Sequence, residues 1–251
     1  MQRRRLVWLF TSFLPTLALA SPMLFRETGS LPSSYATQAA AADERFVYAV
    51  SGDKVALYDR ATAKLLGVSR GPAHHLNSGF VDGGKLYLAH SNYPDKPDES
   101  DIRVLDPATR ALTVFHSFEH PPGSLTWAIR RGGDWWCLFA RYGAENRQSV
   151  LIRFDPQWRE VGRWHFAPEL VADWGGYSLS GGVWMDDDLL ATGHDKPIIY
   201  RLHVPASGEL VRLRERIPSP FPGQGIAIDP VTGGLIGIDR QRKAVVFATR
   251  R

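Results

Sequence analysis

Three histidines of this 251-residue chain are followed, within two residues, by a side chain that could orient the imidazole ring. The pairs are His75 with Asn77, His90 with Asn92, and His194 with Asp195. Imidazole titrates near neutral pH and is a common ligand of divalent metals. One interpretation is a proton-transfer site with His90, His194 and Asp195 as catalytic residues. A second is a divalent-metal site that uses His75, His90 and His194, and a third is that these histidines only hold loops together.

A repeat along the chain predicts the scaffold that positions these residues. Residues 55–62, 102–109 and 150–157 share one plan, in which a β-rich strand leads through an Asp turn into a second strand. The turn residues Asp59, Asp106 and Asp155 lie 47 and 49 residues apart. A fourth copy at 198–208 carries His203 in place of the aspartate. Asp-Pro at such a turn starts a chain reversal, because proline fixes φ and Asp bonds to its own backbone.

Each of these hairpins follows another hairpin, so four strands recur about every 48 residues, which is typical of a propeller blade. The sequence therefore predicts an all-β, five-bladed β-propeller of four-stranded antiparallel blades. The predicted blades start near Gln38, His75, Ser124, Ser178 and Gln224. Because the last blade lacks an outer strand, residues 23–31 are expected to supply it and close the ring. A two-sheet sandwich is the alternative, but it does not explain the period.

The blade pattern places polar residues at one end of the blades, where loops on a rigid scaffold are expected to form a central site. In addition to the three catalytic candidates, eleven residues are predicted to bind substrate there. They are Gln38, His75, Asn77, Asn92, Tyr93, Ser124, Arg141, Tyr142, Ser178, Gln224 and Arg240. The opposite end has short turns rich in Gly, Asp and Pro, so it is expected only to connect strands. Asp186, Asp187 and Asp188 are expected to form a solvated turn at that end.

Residues 1–20 are predicted to be an export signal, with three arginines, an apolar run and a small-residue cleavage site. A membrane helix is the alternative, but the apolar run is short and contains Pro15. The remaining 21–251 are predicted to form one domain, periplasmic or secreted, monomeric and without a membrane span. Without the three arginines, the net charge of +4 falls to about +1, which gives no support for nucleic-acid binding. The single Cys137 excludes a disulfide framework.

Two sets of short motifs resemble known proteins. Residues 190–200 and 223–227 resemble the T-G-x-x-x-P-x-L-Y and Q-G-[LI] signatures of five-bladed glutamine cyclotransferases of the plant and bacterial type. The chain is also similar to exported bacterial proteins that carry the label cycloisomerase or no label. That similarity rests on H-x-N-S-G at 75–79, A-H-S-N-Y-P at 89–94, G-S-L-T-W at 123–127 and G-Q-G-I-A at 223–227.

The resemblance implies cyclisation of an N-terminal glutamine. Gln224 and Asn77 would bind the amide or the peptide backbone, Asp195 would hold the amine, and His90 or His194 would move the proton. The family places an acidic residue, usually Glu, at the strand end where this chain has His90-Ser91-Asn92. Lyase or hydrolase chemistry on a small molecule or peptide is therefore also considered. The alternatives are a non-catalytic module that binds a small molecule, sugar or peptide, and a protein-interaction platform.

Overall fold

The structure is a computed structural model that describes residues 23–206 and 210–251. The predicted export signal at 1–20 lies outside these ranges. The described residues form twenty strands, one short α-helix, α1 (Pro168–Asp173), and one 3₁₀-helix (Gly143–Gln148). The predicted all-β class is thus confirmed. Within the described ranges, the structure contains no helix with the length and hydropathy needed to cross a membrane.

The first part of the chain forms one strand that pairs elsewhere and two sheets of four antiparallel strands. The chain opens with β1 (Phe25–Pro32). The first sheet contains β2 (Ala39–Ala42), β3 (Phe46–Val50), β4 (Val55–Asp59) and β5 (Leu65–Val68) in this order. The second sheet contains β6 (His75–Asp82), β7 (Lys85–Ser91), β8 (Ser100–Leu105) and β9 (Leu112–Phe118) in this order. Each of these two sheets is therefore an antiparallel meander of two hairpins.

The next part of the chain forms an eight-stranded sheet made of two such four-stranded units. The first unit contains β10 (Ser124–Arg131), β11 (Asp134–Ala140), β12 (Val150–Phe154) and β13 (Glu160–Phe166). The second unit contains β14 (Gly181–Met185), β15 (Asp188–Thr192), β16 (Ile198–His203) and β17 (Leu210–Pro218). The outer strands β13 and β17 join them through a parallel pairing of only two residue pairs. Each unit is itself an antiparallel meander, and in the described residues only this pairing joins the two units by strand hydrogen bonds.

The last sheet combines both ends of the described chain. It contains β18 (Ala227–Ile228), β19 (Leu235–Asp239) and β20 (Ala244–Arg250), and β1 is its fourth strand. β1 pairs antiparallel with β20 from Phe25 opposite Arg250 to Pro32 opposite Ala244. The stretch expected to provide the missing outer strand therefore occupies that position, and it covers the edge of β20 that would otherwise be exposed.

The first strands of the five four-stranded units contact one another in a closed cycle. β2 contacts β6, β6 contacts β10, β10 contacts β14, β14 contacts β18, and β18 contacts β2. All four alanines of β2 are buried, and such small side chains let neighbouring backbones approach closely. The apolar core lies between neighbouring sheets, since one buried cluster combines side chains of the first, second and last sheets.

A buried ion pair also links the first sheet to the last. Arg60, just after β4, contacts Asp229, just after β18, at 2.8 Å, and the Asp229 side chain is fully buried. Burial would raise the pKa of Asp229, but the hydrogen bonds from Arg60, Thr232 and the backbone, together with the charge of Arg60, lower the pKa overall. Arg60 also donates to the carbonyl oxygen of Asp43. Removing either charge would leave the other buried without its partner, which is costly.

The acidic run at 186–188 differs from the predicted solvated turn. Asp186 and Asp187 are exposed at the turn between β14 and β15, but Asp188 begins β15 and is buried. Its carboxylate accepts hydrogen bonds from Arg201 and Arg214, each at 2.6 Å. Two arginines therefore compensate the burial of this negative charge. The sequence shows only three consecutive aspartates, so it did not distinguish Asp188 from its two neighbours.

Leu31→Ala should destabilise the protein because it creates a cavity where β1 packs on the core. Leu31 is 6% exposed and belongs to the cluster shared by the first, second and last sheets. The expected loss in the free energy of unfolding is about 2–4 kcal/mol, measured by urea denaturation. The matched control is Leu24→Ala, at an exposed leucine outside β1, which should change stability by less than about 1 kcal/mol. Equal effects of the two substitutions would contradict this role of β1.

Candidate functional site

One end of the five first strands is the polar mouth, defined here by the residues at or just before their starts: Gln38, His75, Ser124, Ser178 and Gln224. A small cavity of about 70 Å³, the mouth cavity, lies there. Eight of the predicted site residues line it together. They are Gln38, His75, Asn77, Tyr93, Tyr142, Ser178, His194 and Gln224. Residues far apart in the chain thus converge on one small polar space.

Two β-bulges aim residues at the mouth cavity. In β6, Asn77 and Ser78 together oppose one residue of β7, because the register shifts between Leu76 and Gly79. In β10, Thr126 is the extra residue where the register with β11 shifts. Asn77 and Thr126 both line the cavity. Bulges are frequent beside functional sites because they redirect a side chain.

His194 and Asp195 form a hydrogen-bonded pair at the edge of the mouth cavity. The Nδ1 atom of His194 lies 2.6 Å from Oδ2 of Asp195, and Arg240 forms an ion pair with the other carboxylate oxygen. The imidazole ring stacks on Tyr177, with centroids 4.0 Å apart and planes within 4°. Within residues 23–206 and 210–251, no hydrogen bond engages Nε2. That nitrogen is therefore the one available to a substrate, while Asp195 fixes the ring orientation.

The segment Gly223-Gln224-Gly225 holds the backbone of His194 in place. A Cβ at Gly223 would lie 2.7 Å from the carbonyl oxygen of His194, so only glycine permits this close approach. Gln224 is buried with φ of 72°, a left-handed conformation that is unusual for a residue other than glycine. Its Nε2 atom donates to the His194 carbonyl oxygen at 2.6 Å, and its backbone N–H donates to Gly193. The predicted substrate-binding amide of Gln224 is thus at least partly committed to positioning His194.

A second space, the side cavity of about 240 Å³, also borders His194. His194 and Tyr177 line both cavities, and the sequence analysis did not include Tyr177 among the site residues. The side cavity also includes Asp173, Trp174, Asp195, Lys196 and Tyr200. One feature of the sequence could have indicated the residues around this cavity. Ser124 and Ser178 are 54 residues apart, which is the longest spacing between predicted blade starts. The extra length contains α1, and Trp174 at its end packs on Phe166.

The contacts of His90 favour a structural role over the predicted catalytic one. His90 is 6% exposed and its Nδ1 lies 3.1 Å from Asp101, while Nε2 accepts the backbone N–H of His74 at 3.0 Å. Both ring nitrogens are therefore occupied by the protein. Burial would raise the pKa of Asp101, but hydrogen bonds from His90 and Arg103 outweigh it and lower the pKa. Proton transfer to a substrate would require these bonds to break.

Three further predicted binding residues serve loop structure instead of lining either cavity. The Asn92 side chain donates to Pro97 and accepts from the backbone N–H of Glu99, which braces the loop after β7. Ser124 is buried and donates to Ser91 at 2.8 Å. Arg141 forms an ion pair with Asp98 at 2.8 Å. The sequence pattern predicted correctly that these residues lie at the end of the strands near the polar mouth. It did not predict that their side chains would bond to other loops and strands of the protein.

The electrostatics of the mouth cavity favour neutral side chains. Burial, and then the neighbouring His74, His90 and His194, lower the pKa of His75. Burial raises the pKa of Tyr142 to about 12. The phenol and the imidazole are thus held in their uncharged forms, as expected where water is largely excluded. Tyr93 lies between them, with its ring centroid 5.6 Å from that of His75 and 4.6 Å from that of Tyr142.

The predicted metal arrangement of His75, His90 and His194 is not formed. Across the two described ranges, no three or more side chains of His, Cys, Asp or Glu are grouped so that they could hold a metal ion. His90 is turned to Asp101, as described above, which leaves His75 and His194 at the mouth cavity.

The opposite end of the sheets holds more than connections, contrary to expectation. This turn end, defined by the turns at 43–45, 83–84 and 229–234, contains a cavity of about 610 Å³, the turn-end cavity. It is larger than the mouth cavity and the side cavity. The cavity is lined mainly by the ends of the first strands. The composition of the short turns, which are rich in Gly and Asp, therefore did not predict it.

Comparison with known proteins relates the chain to one enzyme fold. No protein-family model matches the sequence, and no curated protein matches it. Among solved structures, the glutaminyl cyclase of Myxococcus xanthus superposes with a TM-score of 0.60 at 11% identity, covering 91% of this chain and 97% of that chain. A mitotic checkpoint complex structure gives 0.45 at 11% identity, covering 84% of this chain and 62% of that chain. The designed Ika4 protein gives 0.39 at 11% identity, covering 61% and 82%. The first similarity shows a shared fold, and the other two carry no argument.

Replacing His90 should reduce stability because it removes two buried hydrogen bonds. In His90→Ala, the His74 N–H loses its acceptor and Asp101 loses one donor. We expect a loss of about 2–4 kcal/mol in the free energy of unfolding, measured by urea denaturation. His165→Ala, at an exposed histidine of β13, is the control and should remain within about 0.5 kcal/mol of the wild type. A neutral effect of His90→Ala would remove the structural assignment.

The stability of the protein should fall in mild acid, and His75 should account for part of the fall. The pKa of His75 is lowered in the folded state, whereas that of an unfolded histidine is about 6.5. Below about pH 6.5 the unfolded chain therefore binds a proton that folded His75 does not, and stability decreases as the pH falls. Urea denaturation from about pH 8 to about pH 5 should show a flatter dependence for His75→Gln than for the wild type. Parallel curves over this range would exclude His75 as a contributor.

Proposed function

We propose that the chain is a five-bladed β-propeller closed by β1. Support comes from the five four-stranded units and from the closed cycle of contacts among their first strands. The two-residue pairing between β13 and β17 is then a contact between the outer strands of adjacent blades. The shared fold with a glutaminyl cyclase over 91% of the chain agrees with this architecture.

The function that the geometry supports best is a cyclotransferase-like enzyme that acts at the polar mouth on a small molecule or peptide. The single observation that carries this proposal is the His194–Asp195 pair, with Nδ1 held at 2.6 Å and Nε2 free of protein partners within the described residues. An imidazole oriented by a carboxylate and open on its second nitrogen is suited to accept and return a proton. The aligned ring of Tyr177 adds a fixed wall beside it.

Cyclisation of an amino-terminal glutamine needs one such group. The amino nitrogen attacks the side-chain amide carbon, a ring N–C bond forms, and the C–N bond to the amide nitrogen breaks to release ammonia. The attacking amine loses one proton and the leaving nitrogen gains one, so His194 Nε2 can accept the first and donate the second. Because the proton that His194 accepts is the one it returns, the cycle needs no net proton from solvent.

The cavities suggest how such a substrate is oriented. The mouth cavity of about 70 Å³ admits only a small group, and Gln38 and Asn77 line it. The Nδ2 atom of Asn77 donates to the carbonyl oxygen of Leu125 at 3.1 Å, which leaves its Oδ1 atom to accept from a substrate. The adjoining side cavity of about 240 Å³ is lined by Tyr177 and Tyr200, so it suits a larger apolar part of the substrate. His194 borders both cavities and would face the reacting atoms. We further propose that the protein is exported to the periplasm or secreted, and that it acts as a monomer.

Removing His194 should abolish turnover while the fold persists. The test measures ammonia released from peptides and amides with an amino-terminal glutamine by the mature chain. In His194→Ala, kcat should fall by about 100-fold or more, since general acid–base catalysis is worth about 10²–10⁴. His165→Ala should retain the wild-type rate, and unfolding curves of both variants verify folding.

Asp195→Asn provides a second readout in the same assay. Without the carboxylate, neither the tautomer nor the orientation of the His194 ring is fixed. We therefore expect kcat to decrease by a larger factor than KM changes. A wild-type protein that binds these peptides without any product would instead indicate a non-catalytic binding module. Full activity of His194→Ala would overturn the proposed site.

A further inference from the structure

The turn-end cavity lies at the opposite end of the first strands from His194 and has no role in the proposed reaction. All five four-stranded units contribute to its lining, through the ends of β2, β6, β10, β14 and β18 and through the turns after β2, β6 and β18. Its volume of about 610 Å³ falls within the range of cavities that hold small organic ligands. The cavity is therefore a candidate site in its own right.

The interior of this cavity is apolar and partly aromatic. Phe80, Ile129 and Val183 come from three neighbouring inner strands, and Trp184 and Ile228 extend the apolar lining. Phe80 is fixed by stacking on Tyr87 and by an edge contact with Trp135, at centroid distances of 5.6 and 5.8 Å. Rings held in this way form flat walls that suit a ligand with ring systems of its own.

Two acidic groups at the rim of the cavity are already bonded to other groups of the protein. The carboxylate of Asp43 accepts the backbone N–H groups of Arg45 and Phe46 and the hydroxyl of Tyr48. The carboxylate of Asp82 pairs with Arg130 at 2.8 Å.

The two remaining charges of the rim offset each other. Glu44 and Arg45 are adjacent, exposed and opposite in sign, and the Arg45 guanidinium lies over the Phe46 ring at 5.0 Å. The lining has more carboxylates (Asp43, Glu44 and Asp82) than guanidinium groups (Arg45 and Arg130), so its net charge is negative. An anionic ligand would find no free counter-charge at this rim, and any charged ligand would lose its hydration on entering the apolar interior.

We propose that the turn-end cavity binds a small, uncharged, ring-containing apolar molecule. The apolar walls supply the affinity through burial of ligand surface. The negative rim selects against anions, and the apolar interior selects against any ligand with a net charge, because the free energy lost on desolvation is not recovered there. This site is independent of the proposed cyclotransferase-like reaction.

The test uses the neutral fluorescent probe N-phenyl-1-naphthylamine with the mature chain. Its fluorescence should rise to a single saturable level. Ile228→Glu and Val81→Glu, which each place a carboxylate in the lining, should raise the probe Kd by about tenfold or more. Val231→Glu makes a similar change at an exposed position outside the lining and should leave Kd unchanged. The two lining variants guard against the failure of one of them to fold, and unfolding curves verify both.

Competition then tests the charge selection. Neutral 2-naphthol should displace the probe at lower concentration than anionic 2-naphthoate. His194→Ala should bind the probe as the wild type does, so failure of the proposed reaction would leave this result unaffected. The inference is overturned if the wild type shows no saturable binding, if the folded lining variants bind as tightly as Val231→Glu, or if the anion competes as well as the neutral compound.

Discussion

The pairing of β1 with β20 is the interaction on which the rest of the molecule depends, because it makes the beginning and the end of the described chain parts of one sheet. The last sheet then packs beside the first, where Arg60 reaches the buried Asp229. With the two sheets in contact, the N–H of Gly225 donates to the carbonyl oxygen of Gln38 at 2.9 Å. That hydrogen bond places Gln224 against the His194 backbone. The geometry of the candidate site is therefore a consequence of how the chain closes on itself.

Much of the architecture could be predicted from the sequence, because period and turn chemistry are local properties. The strands at His75, Ser124 and the others follow the predicted order, and so does the pairing of the amino-terminal stretch. The convergence of Gln38, His75 and His194 on one cavity follows from this order alone. These features need only the alternation of strands and turns, which each stretch of the chain carries within itself.

The roles of single side chains could not be obtained in the same way. His90 and His194 have equivalent places at strand ends, yet one is enclosed by Asp101 and the His74 N–H and the other lies between two cavities. Asp188 is buried between arginines that lie 13 and 26 residues further along the chain. The bulge at Thr126 depends on its pairing with β11. The role of each of these side chains depends on a neighbour that is distant in sequence. A local sequence pattern contains no information about such neighbours.

The inner strands have a property that links the two ends of the molecule. Four of these chain segments place one residue in the mouth cavity and, three positions later, another in the turn-end cavity: Asn77 and Phe80, Thr126 and Ile129, Ser180 and Val183, Gln224 and Ala227. Three residues of extended chain span about 10 Å, so the two chambers are separated by a partition only a few side chains thick. Between Asn77 and Phe80, the buried Ser78 donates to the carbonyl oxygen of Ile226 at 3.3 Å, so a substitution there would remove a contact that holds this partition together.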